Sequence, residues 1–138
     1  LTNGPKMLLT PTYYVSRCTT CTKTPLPADG LNLRQSQGAR SREVPMVSAS
    51  ASKDKNGRIH ISLANVDVDN AQNITLDLQG EKIKRVNGRI LSSASINDHN
   101  TFEKPDVVKP VAFDGAKIER GQLKINLPAK SIVVLEVE

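Results

Sequence analysis

The sequence predicts an all-β fold, an antiparallel β-sandwich with a short helical segment at its N-terminal end. Three observations carry this. Apolar and polar residues alternate through several short segments after residue 44, as in "RIHISLANV" with Ile59, Ile61 and Leu63 on one face. Turn signals separate these segments every 8–12 residues or so, the spacing of a sandwich or barrel. No helical period of useful length follows Val15.

The elements follow in order. Residues 1–15, "LTNGPKMLLTPTYYV", carry a turn signal at Asn3-Gly4. Thr10-Pro11 reads as an N-cap followed by proline at the first helical position, so a helix is expected to start there and to fade near Val15. Residues 16–43 contain no Val, Ile, Met, Phe or Tyr, and Leu26, Leu31 and Leu33 are their only large aliphatics. Such composition buries too little surface to offset the entropy of ordering, which predicts a long loop or a disordered insert. From residue 44 onward, "VPMVSASAS" and "RIHISLANV" form a hairpin about Asp54-Lys55-Asn56-Gly57. "NITLDLQ", "KIKRVNGRILSS" with a turn at Asn87-Gly88, "QLKINLP" and "SIVVLEVE" supply the remaining strands. The run from Asp98 to Asp114, with Pro105 and Pro110 and little alternation, is an excursion between sheets.

The 138 residues suffice for one domain with an aliphatic core; aromatics make up only 3% and there is no Trp. No apolar run approaches the roughly 20 residues of a membrane span. The chain opens on Leu without a charged-then-apolar leader, which reads as a cut inside a longer protein. The net charge of +5 is spread along the chain and interleaves with no stacking aromatics, so nucleic acid is not an expected partner.

Cys18 and Cys21 in "SRCTTCTKTP" have the spacing of half a zinc site or a redox pair. A tetrahedral site needs four ligands, and His60 and His99 lie far outside zinc-finger spacing. A redox pair is expected at a helix N-terminus beside a βαβ unit, which the pattern lacks. The pair therefore reads as chance, and no metal or cofactor is expected. Asp67, Asp69, Asp77, Asp98, Glu103, Asp106 and Asp114 are available carboxylates, most of them in turns that favour Asp for backbone reasons. "NVDVDN" lacks the Gly and Glu of a calcium loop and reads as a turn. "DHNTFEKPD" is the most distinctive polar stretch, a structured loop or a contact surface. Asn73-Ile74-Thr75 matches a glycosylation acceptor, too short a pattern to weigh alone.

"MLLTPTYYV", "VPMVSASASKDKNGRIHISLANVD", "GRILSS", "DHNTFEKPDVVKPV" and "LPAKSIVVLEVE" together resemble the C-terminal end of α-L-arabinofuranosidases of glycoside hydrolase family fifty-one. The resemblance covers residues 1–15 and 44–138. It implies a (β/α)8 catalytic barrel followed by a jelly-roll-like β-sandwich. Residues 1–15 would be the barrel-side or connecting helix remnant, 16–43 an aberrant segment, and 44–138 the C-terminal sandwich. Where the chain departs, the family continues as a helix similar to Phe-Glu-Met-Tyr-Asn-Val-His-Gln-Asp-Ala. One coding of that decapeptide, read with its first nucleotide removed, spells Ser16 to Pro25 of this chain, so a shifted reading frame is the leading explanation.

The resemblance further implies a parent that hydrolyses terminal non-reducing α-L-arabinofuranosyl residues of arabinan or arabinoxylan oligosaccharides with retention, using two carboxylates. Those lie in Gly-Asn-Glu and Glu-Trp-Asn contexts absent here, so no catalytic residue carries over to this chain. The expected partners are the barrel of the same polypeptide and, in the parent, further copies. The expected setting is a cytoplasmic or periplasmic bacterial enzyme. Strands from the far N-terminus would complete the sheet, so the piece is expected to self-associate when alone. A free-standing carbohydrate-binding sandwich is the alternative. It has only Tyr13, Tyr14, Phe102 and Phe113 to stack sugars on.

If the cysteine pair is incidental, Cys18→Ser with Cys21→Ser is expected to leave the melting temperature within the range of surface substitutions, about 0.5 kcal/mol. Thermal unfolding with and without a chelator checks this; a loss of several degrees in either case would make the pair structural.

Overall fold

The computed structural model describes residues 2–19, 31–35, 46–78 and 83–138. A small hairpin opens the chain: β1 (Thr2–Asn3) pairs with β2 (Lys6–Met7) across Gly4, whose φ of 58° lies in the region glycine adopts without strain. Helix α1 (Pro11–Thr19) follows. Its start is as expected: the Thr10 hydroxyl accepts from the Tyr13 amide at 3.3 Å. Its end is not. The helix runs to Thr19 rather than fading near Val15. Ser16 to Thr19 include no glycine or proline to stop it, and Arg17 in the last turn complements the helix dipole.

The strands form two sheets. Strand β3 (Leu31–Gln35), β6 (Gln72–Leu78), β10 (Gln122–Leu127) and β9 (Ala116–Glu119) lie in that order in a four-stranded sheet. The second sheet has the order β4 (Val47–Lys53), β5 (Ile59–Asn65), β11 (Ser131–Val137), β7 (Val86–Ser92), β8 (Val111–Ala112). Every pairing is antiparallel. The inward faces meet in one core, built by Ile59, Ile61, Leu63, Val133, Leu135 and Val137 from one sheet and Ile74, Leu76, Leu78, Leu123, Ile125 and Leu127 from the other. The all-β sandwich is therefore observed.

Four local readings change. Residues 31–35, expected within a loop, form edge strand β3, with Leu31 and Leu33 in register with Leu78 and Leu76 of β6. The short Leu-x-Leu alternation suffices when a buried neighbour offers a free edge. The rest of the segment expected to be disordered, residues 20–30 and 36–43, lies outside the described residues, as does Cys21. Asn87-Gly88 is not a turn but the interior of β7, where Gly88 opposes Leu135. A Cβ there would stand 2.9 Å from Leu135 Cδ2 and 3.0 Å from Phe113 Cδ1, so glycine answers a need for close packing. Strand β8 lies within the run expected to be an excursion and pairs with Arg89 and Ile90 of β7, and β9, absent from the expected strands, returns to β10 through Arg120-Gly121, with φ of 52° and 80°. That two-residue turn before an alternating segment is the signal that identifies it.

The Asp54–Gly57 hairpin forms as read. Asp54 Oδ1 accepts from the amides of Asn56 at 2.8 Å and Arg58 at 2.9 Å, and Gly57 takes a φ of 84°. Leu135 is fully buried on β11 between β5 and β7. Leu135→Ala is expected to cost about 2–5 kcal/mol. Thermal or urea unfolding checks it, with Val111→Ala, at an exposed position, as the comparison.

Candidate functional site

The two outer faces of the sandwich differ. On the four-stranded sheet, Asn73, Lys117, Glu119, Lys124 and Asn126 are exposed. Four of them pair across strands, Lys124 Nζ to Glu119 Oε2 at 2.5 Å and Asn126 Nδ2 to Asn73 Oδ1 at 2.7 Å. That is a solvated face. On the five-stranded sheet the register produces three outward rows: Ser48, Ala64, Ile132, Leu91; then Ser50, Ser62, Val134, Arg89; then Ser52, His60, Glu136, Asn87. In the first two rows the β4 and β5 positions are small and the β11 and β7 positions aliphatic or charged, the third row is polar, and α1 lies against β7 and β11 of this face.

Two grooves flank the helix. One, of about 570 Å³, is lined at the helix N-terminal end by Pro11, Val15, Val66, Ile96, Val108 and Ile132. Its rim leaves Val66 58% and Ile96 74% exposed, an apolar patch of the kind that meets another surface. The other, of about 860 Å³, begins at Tyr14 and Arg17 and continues over His60, Arg89, Val111 and Val134.

Charged groups near these grooves are held as ions. Arg58 Nε lies 3.2 Å from Asp54 Oδ2, Arg58 Nη1 lies 2.5 Å from Glu136 Oε1, and His60 Nε2 is 3.4 Å from Asp54 Oδ2. Burial alone would raise the Asp54 carboxyl. The amides of Arg58 and Asn56, the His60 ring and the Arg58 charge together hold it below its ordinary value. Asp67 is held low by the amides of Asp69 and Asn70, with the Asn70 and Gln72 side chains adding to them. Asp98 is held low by the Ser93 hydroxyl and the Ser95 amide. A glycosidase acid must instead be kept protonated by its surroundings.

The distinctive sequence motifs resolve into structural knots. In "NVDVDN", buried Asn65 donates through Nδ2 to the carbonyls of Asn70 and Pro128 at 3.0 Å, closing one end of the sandwich. In "DHNTFEKPD", buried Asn100 donates to Leu9 O and Val108 O, both at 2.9 Å, and accepts from the Val108 amide at 2.7 Å. This fastens the chain just before α1 to the loop ahead of β8. His99 is exposed in that loop, with Nδ1 2.9 Å from Asn97 O, while His60 is buried in β5; the fold does not bring the two together. No group of three or more His, Cys, Asp or Glu side chains able to hold a metal occurs among the described residues. Asp69, Glu103, Asp106 and Asp114 are exposed, and Asp77 is half-buried. Phe113 packs against the core, and Tyr13 and Tyr14 meet edge to face at 5.8 Å.

The profile of the α-L-arabinofuranosidase C-terminal domain matches residues 1–131. An intracellular exo-α-L-arabinofuranosidase of Bacteroides ovatus is 49% identical over the whole of this chain, which spans 27% of that protein's length. Among solved structures, a family 51 arabinofuranosidase of Xanthomonas axonopodis pv. citri superimposes with a TM-score of 0.86 at 34% identity, covering all of this chain and 28% of that one. The thermostable family 51 α-L-arabinofuranosidase of Thermotoga petrophila RKU-1 has the same fold here, with a TM-score of 0.78 at 19% identity, covering 99% of this chain and 31% of its own.

The depressed carboxylates set the acid behaviour. Folded-state values below the unfolded ones contribute stability that is complete above the ordinary Asp value, about 3.9, and is lost as pH falls through the lower folded values. Asp67→Asn is expected to lower the melting temperature at neutral pH and to flatten its fall between about pH 5 and pH 3. Melting curves across that range check this; parallel curves for both proteins would refute it.

Proposed function

The chain belongs to the α-L-arabinofuranosidase C-terminal domain family, and from that premise we propose that it serves as the non-catalytic closing domain of an enzyme acting on terminal α-L-arabinofuranosyl groups. The substrates are arabinan or arabinoxylan oligosaccharides, and the two carboxylates of the retaining reaction belong to a barrel on the same polypeptide. The observation that carries this reading is the match along the full chain to 27% of an exo-α-L-arabinofuranosidase. The held, ionised state of Asp54, Asp67 and Asp98 agrees with it, since none is poised to give up a proton. In the parent the domain braces the barrel through α1 and the outer face of the five-stranded sheet, and copies of the parent associate. No helix among the described residues is long and apolar enough to cross a membrane. The intracellular setting named for the Bacteroides ovatus relative is proposed for this protein also.

Residues 1–15 then belong to the barrel side and 44–138 to the sandwich. Residues 16–43 are read from a shifted frame that is restored before Val44, although residues 31–35 of that segment still pair into the sandwich as β3. The nucleotide sequence across this segment tests the frame.

The isolated 138-residue chain is expected not to hydrolyse an aryl α-L-arabinofuranoside, while the parent polypeptide does. Turnover by the purified chain, surviving a contamination control, would overturn the non-catalytic assignment. An inactive parent with an intact barrel would overturn the substrate.

A further inference from the structure

The sequence holds three Asn-Gly dipeptides, Asn3-Gly4, Asn56-Gly57 and Asn87-Gly88, and the fold treats them differently. An asparagine before a glycine closes readily onto the next main-chain nitrogen, because the glycine brings no Cβ to obstruct the approach. Closure turns the main chain about the asparagine, a rotation that a strand held in its ladder does not permit. Asn3 is paired in β1 with Lys6, and Asn87 in β7 stands opposite Glu136 of β11. Gly88 is also walled in by Leu135 and Phe113. Of the three asparagines, only Asn56 lies outside a strand, at the tip of the β4–β5 hairpin. Asn56 and Gly57 are both exposed. Beyond its chain neighbours, no atom stands nearer than 3.9 Å to the place a Cβ on Gly57 would take. The Asn56 carboxamide has no hydrogen-bond partner among the described residues. The Gly57 amide is tied to Asp54 O at 3.1 Å, in a turn open to solvent.

We propose that Asn56 is a site of spontaneous modification, where the side-chain amide is lost through a succinimide and the product loosens the hold of Arg58 on β11. The Gly57 nitrogen gives its proton to solvent and attacks Cγ of Asn56. A C–N bond forms there, and the side-chain nitrogen regains a proton from water and leaves as ammonia. Water then opens the ring. Addition at the side-chain carbonyl gives aspartate. Addition at the main-chain carbonyl gives isoaspartate, in which the chain runs on through Cβ and Cγ and a carboxylate hangs from Cα. The isoaspartyl link lengthens the turn that Asp54 gathers. Asp54 Oδ1 accepts from the Asn56 and Arg58 amides, and the Asp54 amide donates to Arg58 O at 2.9 Å. These bonds set where Arg58 stands, and its guanidinium reaches Asp54 Oδ2 and Glu136 of β11. A longer turn and a new negative charge both act on that pair, which fastens the hairpin to the central strand.

The test incubates the full chain at mildly alkaline pH, where the attacking amide loses its proton more readily, and follows each dipeptide by peptide mapping with mass spectrometry. The exchange of –NH2 for –OH is expected at Asn56 about tenfold or more ahead of Asn87, since Asn87 must first leave the sheet. In denaturant the two are expected to convert at similar rates. Equal conversion in the folded chain, or an Asn56 that stays intact while the denatured chain converts, would overturn the site. The aged chain is expected to melt about 3 °C lower, and Asn56→Gln aged alongside is expected to keep its melting temperature. That loss is expected to shrink by more than half in Glu136→Gln, or in Arg58→Lys should the first variant fold poorly, because the pair it acts on is already weakened. A loss of the same size in these variants, or no loss in the aged chain, would refute the loosening of Arg58. The readouts need no substrate, so they stand or fall apart from the hydrolase reading.

Discussion

Strand β11 is hydrogen-bonded along its whole length on both sides, Ser131–Val137 running against Asn65 to Ile59 of β5 and against Ser92 to Val86 of β7. One face of it, Val133, Leu135 and Val137, is core; the other, Ile132, Val134 and Glu136, carries α1 and the grooves. A one-residue slip of this strand would exchange the two sets at once. The core, the helix seat and the Arg58–Glu136 ion pair all depend on that single register.

The ends of the sandwich are fixed by side-chain amides rather than by apolar contacts. Asn65 gathers carbonyls from residues 70, 127 and 128, and Asn100 from residues 9 and 108. Burying an amide is costly unless its donors and acceptor are matched, and both asparagines meet that condition with main-chain partners. Such knots hold loops that have little apolar surface of their own. Asn100 also binds the approach to α1, so the position of the helix on the sheet is set partly by a loop that follows it by some ninety residues.

What the sequence made legible was whatever alternates. Strands β4, β5, β6, β10 and β11 follow from their period of two, because alternate residues such as Ile74, Leu76 and Leu78 or Leu123, Ile125 and Leu127 enter the core. Asn87-Gly88 misled because the same dipeptide serves two needs: a tight turn, and a strand position with no room for a side chain beside Phe113. Strand β3 was hidden by composition, since an edge strand borrows most of its stabilisation from β6. The grooved outer face of the five-stranded sheet was not readable at all. His60, Glu136, Arg89 and Arg17 stand far apart along the chain and meet only through the order of strands in the sheet. Tyr14 and Val15 were visible as apolar residues, but nothing local says what they lie on.

The central position of β11 also has a temporal meaning. Of the five strands in its sheet it is the last to be synthesised, and the β4–β5 and β7–β8 pairs have no hydrogen bonds to each other until it arrives between them. On the ribosome the sheet stays in two halves until residue 131 has been read in frame. A message that slips and recovers, as proposed for residues 16–43, still delivers that keystone and still yields a sandwich. A message that slips between β8 and residue 131 and does not recover leaves the two pairs unjoined, with exposed edges where β11 would lie. The two halves of the sheet thus share their dependence on the last strand to be made.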